Sequence, residues 1–77
     1  HANFSEAVLT FSRMTGADLS DASFVNADLS KVDFHGADLS GADFTGADLD
    51  GANLSGARGL DTVKGFEAAQ NLDKAIR

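Results

Sequence analysis

A large apolar residue recurs at every fifth position, and that period excludes both regular secondary structures. The series is Phe4, Leu9, Met14, Leu19, Phe24, Leu29, Phe34, Leu39, Phe44, Leu49 and Leu54. Two residues before each stands a small one: Ala2, Ala7, Ala17, Ala22, Ala27, Ala37, Ala42, Ala47 and Ala52, with Ser12 and Val32 as the exceptions. Between the two lies a polar residue, most often Asp. Ser or Thr commonly follows the large residue, and Gly comes next in the later units. Eleven such units run without a gap from Ala2 to Gly56. On an α-helix a step of five turns the side chain by about 140°, which winds the large residues around the cylinder. On a straight strand an odd step throws them to opposite faces. Within one unit, however, the small and large residues are two apart and share a face. The chain must therefore turn after each short extended piece to keep the next pair pointing inward. Corners such as Ser40-Gly41 and Ser55-Gly56 supply turn residues, Gly tolerating positive φ. A turn of roughly 90° per unit closes a coil in four units.

The unit Ala-Asp-Leu-Ser-Gly at Ala37 to Gly41, with its neighbours, resembles the pentapeptide-repeat family. The resemblance covers about three quarters of the chain. It implies an all-β solenoid, a right-handed quadrilateral β-helix with four repeats per coil, the handedness coming from the family alone. Eleven units give about 2.75 coils, close to three, and a rise of ~13 Å at the spacing between neighbouring strands. Residues twenty apart then stack. Phe4, Phe24 and Phe44 form one interior ladder, Leu9, Leu29 and Leu49 a second, and Met14, Phe34 and Leu54 a third. Leu19 sits on Leu39, and Gly59 breaks that last column. Val32 in place of Ala fills space beside Phe34. Each buried Leu or Phe contributes ~1.5–3 kcal/mol, which offsets the small size of the domain.

The ends of a solenoid expose apolar side chains and unpaired backbone, and so need cover. After Gly59 the period of five stops, and Leu60, Val63, Phe66, Ala69 and Leu72 recur every three residues. That spacing predicts short helices over Leu60–Lys64 and Phe66–Ile76, with Gly65 and Asn71 as C-caps and Phe66 as a plug. The chain thus divides into a repeat domain, 1–58, and an α-helical C-terminal cap, 59–77. The N-terminal units have no comparable cap and are the least regular. Val8, Phe11 and Val25 occupy positions that the pattern turns outward. They are expected to form a contact surface for a protein partner or for a second copy meeting the bare N-terminal end.

The body is acidic: from Ala17 to Gly56 there are eight Asp residues against Lys31 alone. Direct binding to nucleic acid needs Lys and Arg opposite the phosphates, so that class is not expected. No apolar run approaches the ~20 residues of a membrane-spanning helix. Cysteine is absent, which removes disulfides and thiolate metal sites. Catalytic parts are scarce. His35 lies two residues from Asp33, but a solvated surface His is the plainer reading, and the Ser residues hold corners without a His–Asp partner arrangement. Asp48-Leu49-Asp50-Gly51-Ala52-Asn53 is faintly like a calcium loop, yet Ala52 stands where an EF-hand needs its fifth-position oxygen. No catalytic residue, cofactor or metal site is expected.

The expectation is therefore a non-enzymatic structural or protein-interaction module. The resemblance also implies an alternative, since some pentapeptide-repeat proteins are acidic rods that mimic DNA and bind gyrase. Here the columns to be presented would be Asp18 over Asp38 and Asp28 over Asp48. Their rise matches only about four base pairs. The family further suggests a thylakoid lumen, periplasm or cytoplasm, in a cyanobacterium or plant plastid.

Overall fold

The computed structural model describes residues 2–77. Its chain winds as a four-sided coil in which each unit lays one residue against the unit twenty positions on. The bridges are parallel and define four faces. Asn3, Ser23, Asp43 and Lys64 stack on the first face, and Val8, Asp28, Asp48 and Gln70 on the second. Arg13, Asp33, Asn53 and Ile76 form the third, and Asp18, Asp38 and Arg58 the fourth. Each contact is a single-residue bridge; no longer strand forms among the described residues. The period explains why, because a corner interrupts the extended backbone every five residues.

Two hydrogen bonds hold each bridge. The Asp43 N–H donates to the Ala22 carbonyl at 3.0 Å, and the Phe24 N–H donates to the Asp43 carbonyl at 2.8 Å. Every corner is closed by a bond across four residues, such as Ala42 N–H to the Leu39 carbonyl at 3.0 Å. In the five-residue units the residue before each closing amide has positive φ, which suits Gly and strains most others. Gly meets that demand at every corner from Gly36 to Gly56 and at Gly16, whereas Glu6, Phe11, Asp21, Asn26 and Lys31 stand there in the rest of the first two coils. Phe11 is the harshest case, held at φ 65 while 71% exposed. Phe11→Gly is therefore expected to stabilise the monomer by about 0.5–1 kcal/mol, the strain relieved minus the entropy of Gly. Thermal unfolding checks this, and a lower melting temperature would contradict it.

The interior is apolar throughout. Phe24, Phe34, Phe44, Leu29, Leu39, Leu49, Leu54 and Val32 are fully buried, and no polar side chain joins them. Phe4, Phe24 and Phe44 stack with ring centroids 5.3 Å apart at each step, while Phe34 meets Phe24 and Phe44 edge-on. Phe4, Leu9 and Met14 line the same shaft and lie half-buried in its first layer.

The C-terminal segment differs from the expected α-helical cap. Residues Leu60–Thr62, Phe66–Ala68 and Leu72–Lys74 are single 3-10 turns. Between them the backbone continues the ladder, with Lys64 bridging Asp43, Gln70 bridging Asp48 and Ile76 bridging Asn53. The bridged partners are now 21, 22 and 23 residues apart, so one extra residue enters at each corner. Gly59, Gly65 and Asn71 are those residues. They stand in the left-handed region at the start of each 3-10 turn, not at the end of a helix. The step has lengthened from five to six, and the break at 58/59 is a change of step within one coil. Phe66 accordingly extends the Phe column, stacked 5.5 Å from Phe44, with the Arg77 guanidinium 5.7 Å over its other side. Leu60 likewise packs on the core beside the column that Gly59 was expected to end. The first face is thus four layers deep, one more than the repeats alone supply. No helix of the described residues is long and apolar enough to cross a membrane.

Candidate functional site: faces and open end

The coil leaves three surfaces to consider: the polar faces, the corners and the N-terminal end. On the faces, the residue that bridges also caps its own corner. Asp38 Oδ1 accepts the Ser40 N–H at 3.1 Å and the Ser40 hydroxyl at 2.7 Å. Asp18 does the same with Ser20, Asp28 with Ser30, and Asp43 with Thr45. Asn3 and Asn53 accept the N–H of Ser5 and Ser55. This is an Asx-turn repeated down the coil. The spacing Asp-x-Ser/Thr carried that signal in the sequence. The turn is the physical reason that Asp recurs between the small and the large residue.

These bonds set the acidity of the columns. The Ser20 hydroxyl and N–H hold the Asp18 carboxyl below its ordinary range, against a smaller opposing push from Asp38. Asp28 and Asp38 are lowered by Ser30 and Ser40 in the same way, and Asp43 by Thr45. A carboxyl whose folded pKa is depressed contributes stability above its unfolded pKa and loses it as pH falls through the folded value. The melting temperature is therefore expected to hold above about pH 4, the unfolded Asp value, and to fall below it. A melting temperature that climbs steadily down to pH 2 would contradict this, as would an unchanged acid profile after Asn replaces all four Asp residues.

The expected pairs do stack: Asp18 bridges Asp38, and Asp28 bridges Asp48. Neither column continues as acid. Asp38 sits on Arg58, Asp43 on Lys64 and Asp48 on Gln70, while Arg13 and Val8 head the third and second faces. On the faces, Asp38 and Asp43 thus give way to Arg58 and Lys64 in the layer below.

Asp33 does not polarise the imidazole two residues on. Its Oδ1 accepts the His35 backbone N–H at 2.9 Å, and the ring instead reaches down one layer, with Nδ1 3.0 Å from Ser55 Oγ. In the calcium-like segment, Asp48 Oδ1 accepts the Asp50 N–H at 3.1 Å and the Asn71 side-chain amide at 3.0 Å. That oxygen is occupied by local donors.

The N-terminal end is different in kind. Val8 is 76% exposed on the second face, Phe11 stands at the next corner, and Val25 is half-buried one layer below. These three adjoin the half-buried rim of Phe4, Leu9 and Met14. Ile76, 55% exposed at the opposite end of the third face, is a further outward apolar side chain. Sequence reasoning missed it by placing it in a helix.

Fold and surface together define a parallel-ladder repeat solenoid whose polar side chains serve the coil itself, with outward apolar side chains on its first coil. Comparison with family models agrees: pentapeptide repeats match in eight copies, over residues 2–41 and 27–58. The chain belongs to the pentapeptide-repeat family. A search of curated proteins returns no match to the chain.

Proposed function

We infer that this chain is a non-enzymatic structural and protein-interaction module, a right-handed coil of the pentapeptide-repeat type, that engages its partner through the N-terminal coil. The observation that carries this reading is the apolar rim. Val8 and Phe11 are large, outward and exposed on the first coil, and water is a poor permanent neighbour for such a surface. The rest of the surface is spent on the coil. The Asp carboxylates of the faces accept the corner amides and hydroxyls of the following Ser residues, which gives both structural roles.

The alternative, an acidic DNA mimic, draws less support from the geometry. Its stacked Asp pairs are two deep and end on Arg58 or Gln70, and the molecule measures 21 × 20 × 20 Å. That length spans about six base pairs of duplex at 3.4 Å each.

The test compares the chain with Val8→Asp, whose side chain is exposed and whose fold should be unchanged. Capture from the native extract is expected for the first and lost for the second. Equal capture by both would place the contact elsewhere. Inhibition of gyrase supercoiling by both at micromolar concentration would favour the mimic instead.

A further inference from the structure

One corner of the coil carries an acid where the other five-residue units carry none. The position after the large apolar residue is mostly Ser or Thr, and at Ser20, Ser30, Ser40 and Thr45 the hydroxyl bonds back to the preceding Asp. Asp50 stands there instead, between Leu49 and Gly51. Its N–H donates to Asp48 Oδ1 at 3.1 Å, but among the described residues no hydrogen bond or ion pair engages its carboxylate. Gly51 is also the one glycine in the sequence that follows an Asp or an Asn.

That pair has a chemistry of its own. With no side chain at 51 to hinder the approach, the Gly51 backbone nitrogen can attack Asp50 Cγ. The new N–Cγ bond closes a five-membered imide, and one carboxyl oxygen leaves as water with the amide proton and the proton of the carboxylic acid. Water then reopens the ring. Opening at the side-chain carbonyl restores Asp, whereas opening at the backbone carbonyl leaves isoaspartate, with the main chain running through Cγ. The Asp residues of the faces are shielded from this reaction. Asp18, Asp28, Asp33, Asp38, Asp43 and Asp48 each turn Oδ1 onto the N–H two residues ahead, and each precedes a bulky Leu or Phe.

The seated coil withholds the reaction at Asp50 by geometry. Leu49 to Ala52 form a type II turn, with Gly51 at φ 73 and the Ala52 N–H donating to the Leu49 carbonyl at 3.0 Å. Such a turn holds the residue before the glycine at ψ of about +120°. Ring closure needs Cβ eclipsed with the next nitrogen, which an L residue reaches only at strongly negative ψ. The 50–51 peptide must therefore rotate, and it is pinned from both sides. The Lys31 N–H donates to the Asp50 carbonyl at 2.9 Å, and the Gly51 N–H donates to the Lys74 carbonyl at 3.2 Å. Asn71 strengthens the lower hold through its side-chain amide on Asp48 at 3.0 Å.

We propose that Asp50–Gly51 is a site of spontaneous aspartate isomerisation, guarded by the six-residue-step coil beneath it. Isoaspartate adds one carbon to the main chain at this corner, so Gly51 no longer meets Lys74 in register. A transient release of the lower coil thereby becomes a permanent one.

Peptide mapping that separates aspartate from isoaspartate follows the site during prolonged incubation, with the chain in urea as the unfolded reference. Isoaspartate is expected at residue 50 before any other, and about tenfold or more slowly in the folded chain than in urea. Gly65→Ala sets a Cβ 2.6 Å from the Thr45 nitrogen and so loosens the lower coil, and Asn71→Ala loosens it more gently. Both should speed the reaction, Gly65→Ala by about tenfold. Gly16→Ala, in the first coil with nothing within 4 Å of its Cβ, should leave the rate unchanged. Isoaspartate appearing first elsewhere, equal rates in folded chain and urea, or equal acceleration by Gly16→Ala would each overturn the proposal. Should Gly65→Ala fail to fold, Asn71→Ala against Gly16→Ala decides, and no difference between those two would overturn it as well.

Discussion

Phe24→Asp is expected to leave the chain unfolded at 25 °C. The Phe24 ring is fully buried, stacked on Phe4 and Phe44 at 5.3 Å and edge-on to Phe34 at 5.6 Å. Truncating a buried Phe to Ala alone costs about 3–5 kcal/mol. A carboxylate adds the cost of a charge with no partner in an interior that holds no polar side chain. A domain of this size has about 4–12 kcal/mol of total stability, so the two losses together exceed what the fold can absorb. Circular dichroism and the chemical-shift spread of the amide spectrum read the outcome directly. Asp38→Asn is the control, since its Oδ1 still accepts from Ser40 and the fold should persist. Equal damage at the two positions would refute the division into a dry shaft and wet faces.

Gly65→Ala should detach the last coil. Gly65 has φ 80, and a Cβ there would lie 2.6 Å from the Thr45 nitrogen and 2.7 Å from its Cα. Those are backbone atoms and cannot rotate aside. The left-handed conformation costs about 1–2 kcal/mol for Ala, and the clash brings the total to about 3 kcal/mol or more. Gly16→Ala shares the positive φ but meets nothing within 4 Å, so it should lose only about 1 kcal/mol. Protease cleavage confined to residues 59–77 in Gly65→Ala, at conditions where Gly16→Ala resists, is the expected pattern. Identical behaviour of the two variants would contradict the tight seating of the fourth layer.

The four-sided coil was legible because one short unit repeats. Period five cannot serve helix or strand, and the pairing of Ala with Leu or Phe two residues later fixed what faces inward. The C-terminal stretch misled because two series interleave. Leu60, Phe66 and Leu72 are six apart, as are Val63, Ala69 and Ala75. Read together they give a spacing of three, which a helix edge and a 3-10 corner share over so short a run. The discriminating signal was Gly59, Gly65 and Asn71, also six apart, marking a left-handed residue at each corner. A helix of the expected length would not demand one so often. At the faces, Asp-x-Ser was visible as a pattern, but the hydrogen bonds behind it depend on corner geometry that only the folded coil shows. The exposed Val8 and Phe11 were legible from their register, whereas Ile76 was not, because its register follows from the changed step.

Proton–proton contacts through space in solution test the continuous coil most directly. The account predicts cross-peaks between the rings of Phe24 and Phe44 and between Phe44 and Phe66, together with contacts from Lys64 to Ala42 and Phe44. A run of helical contacts from Phe66 to Ile76, without any contact between the Phe44 and Phe66 rings, would contradict it.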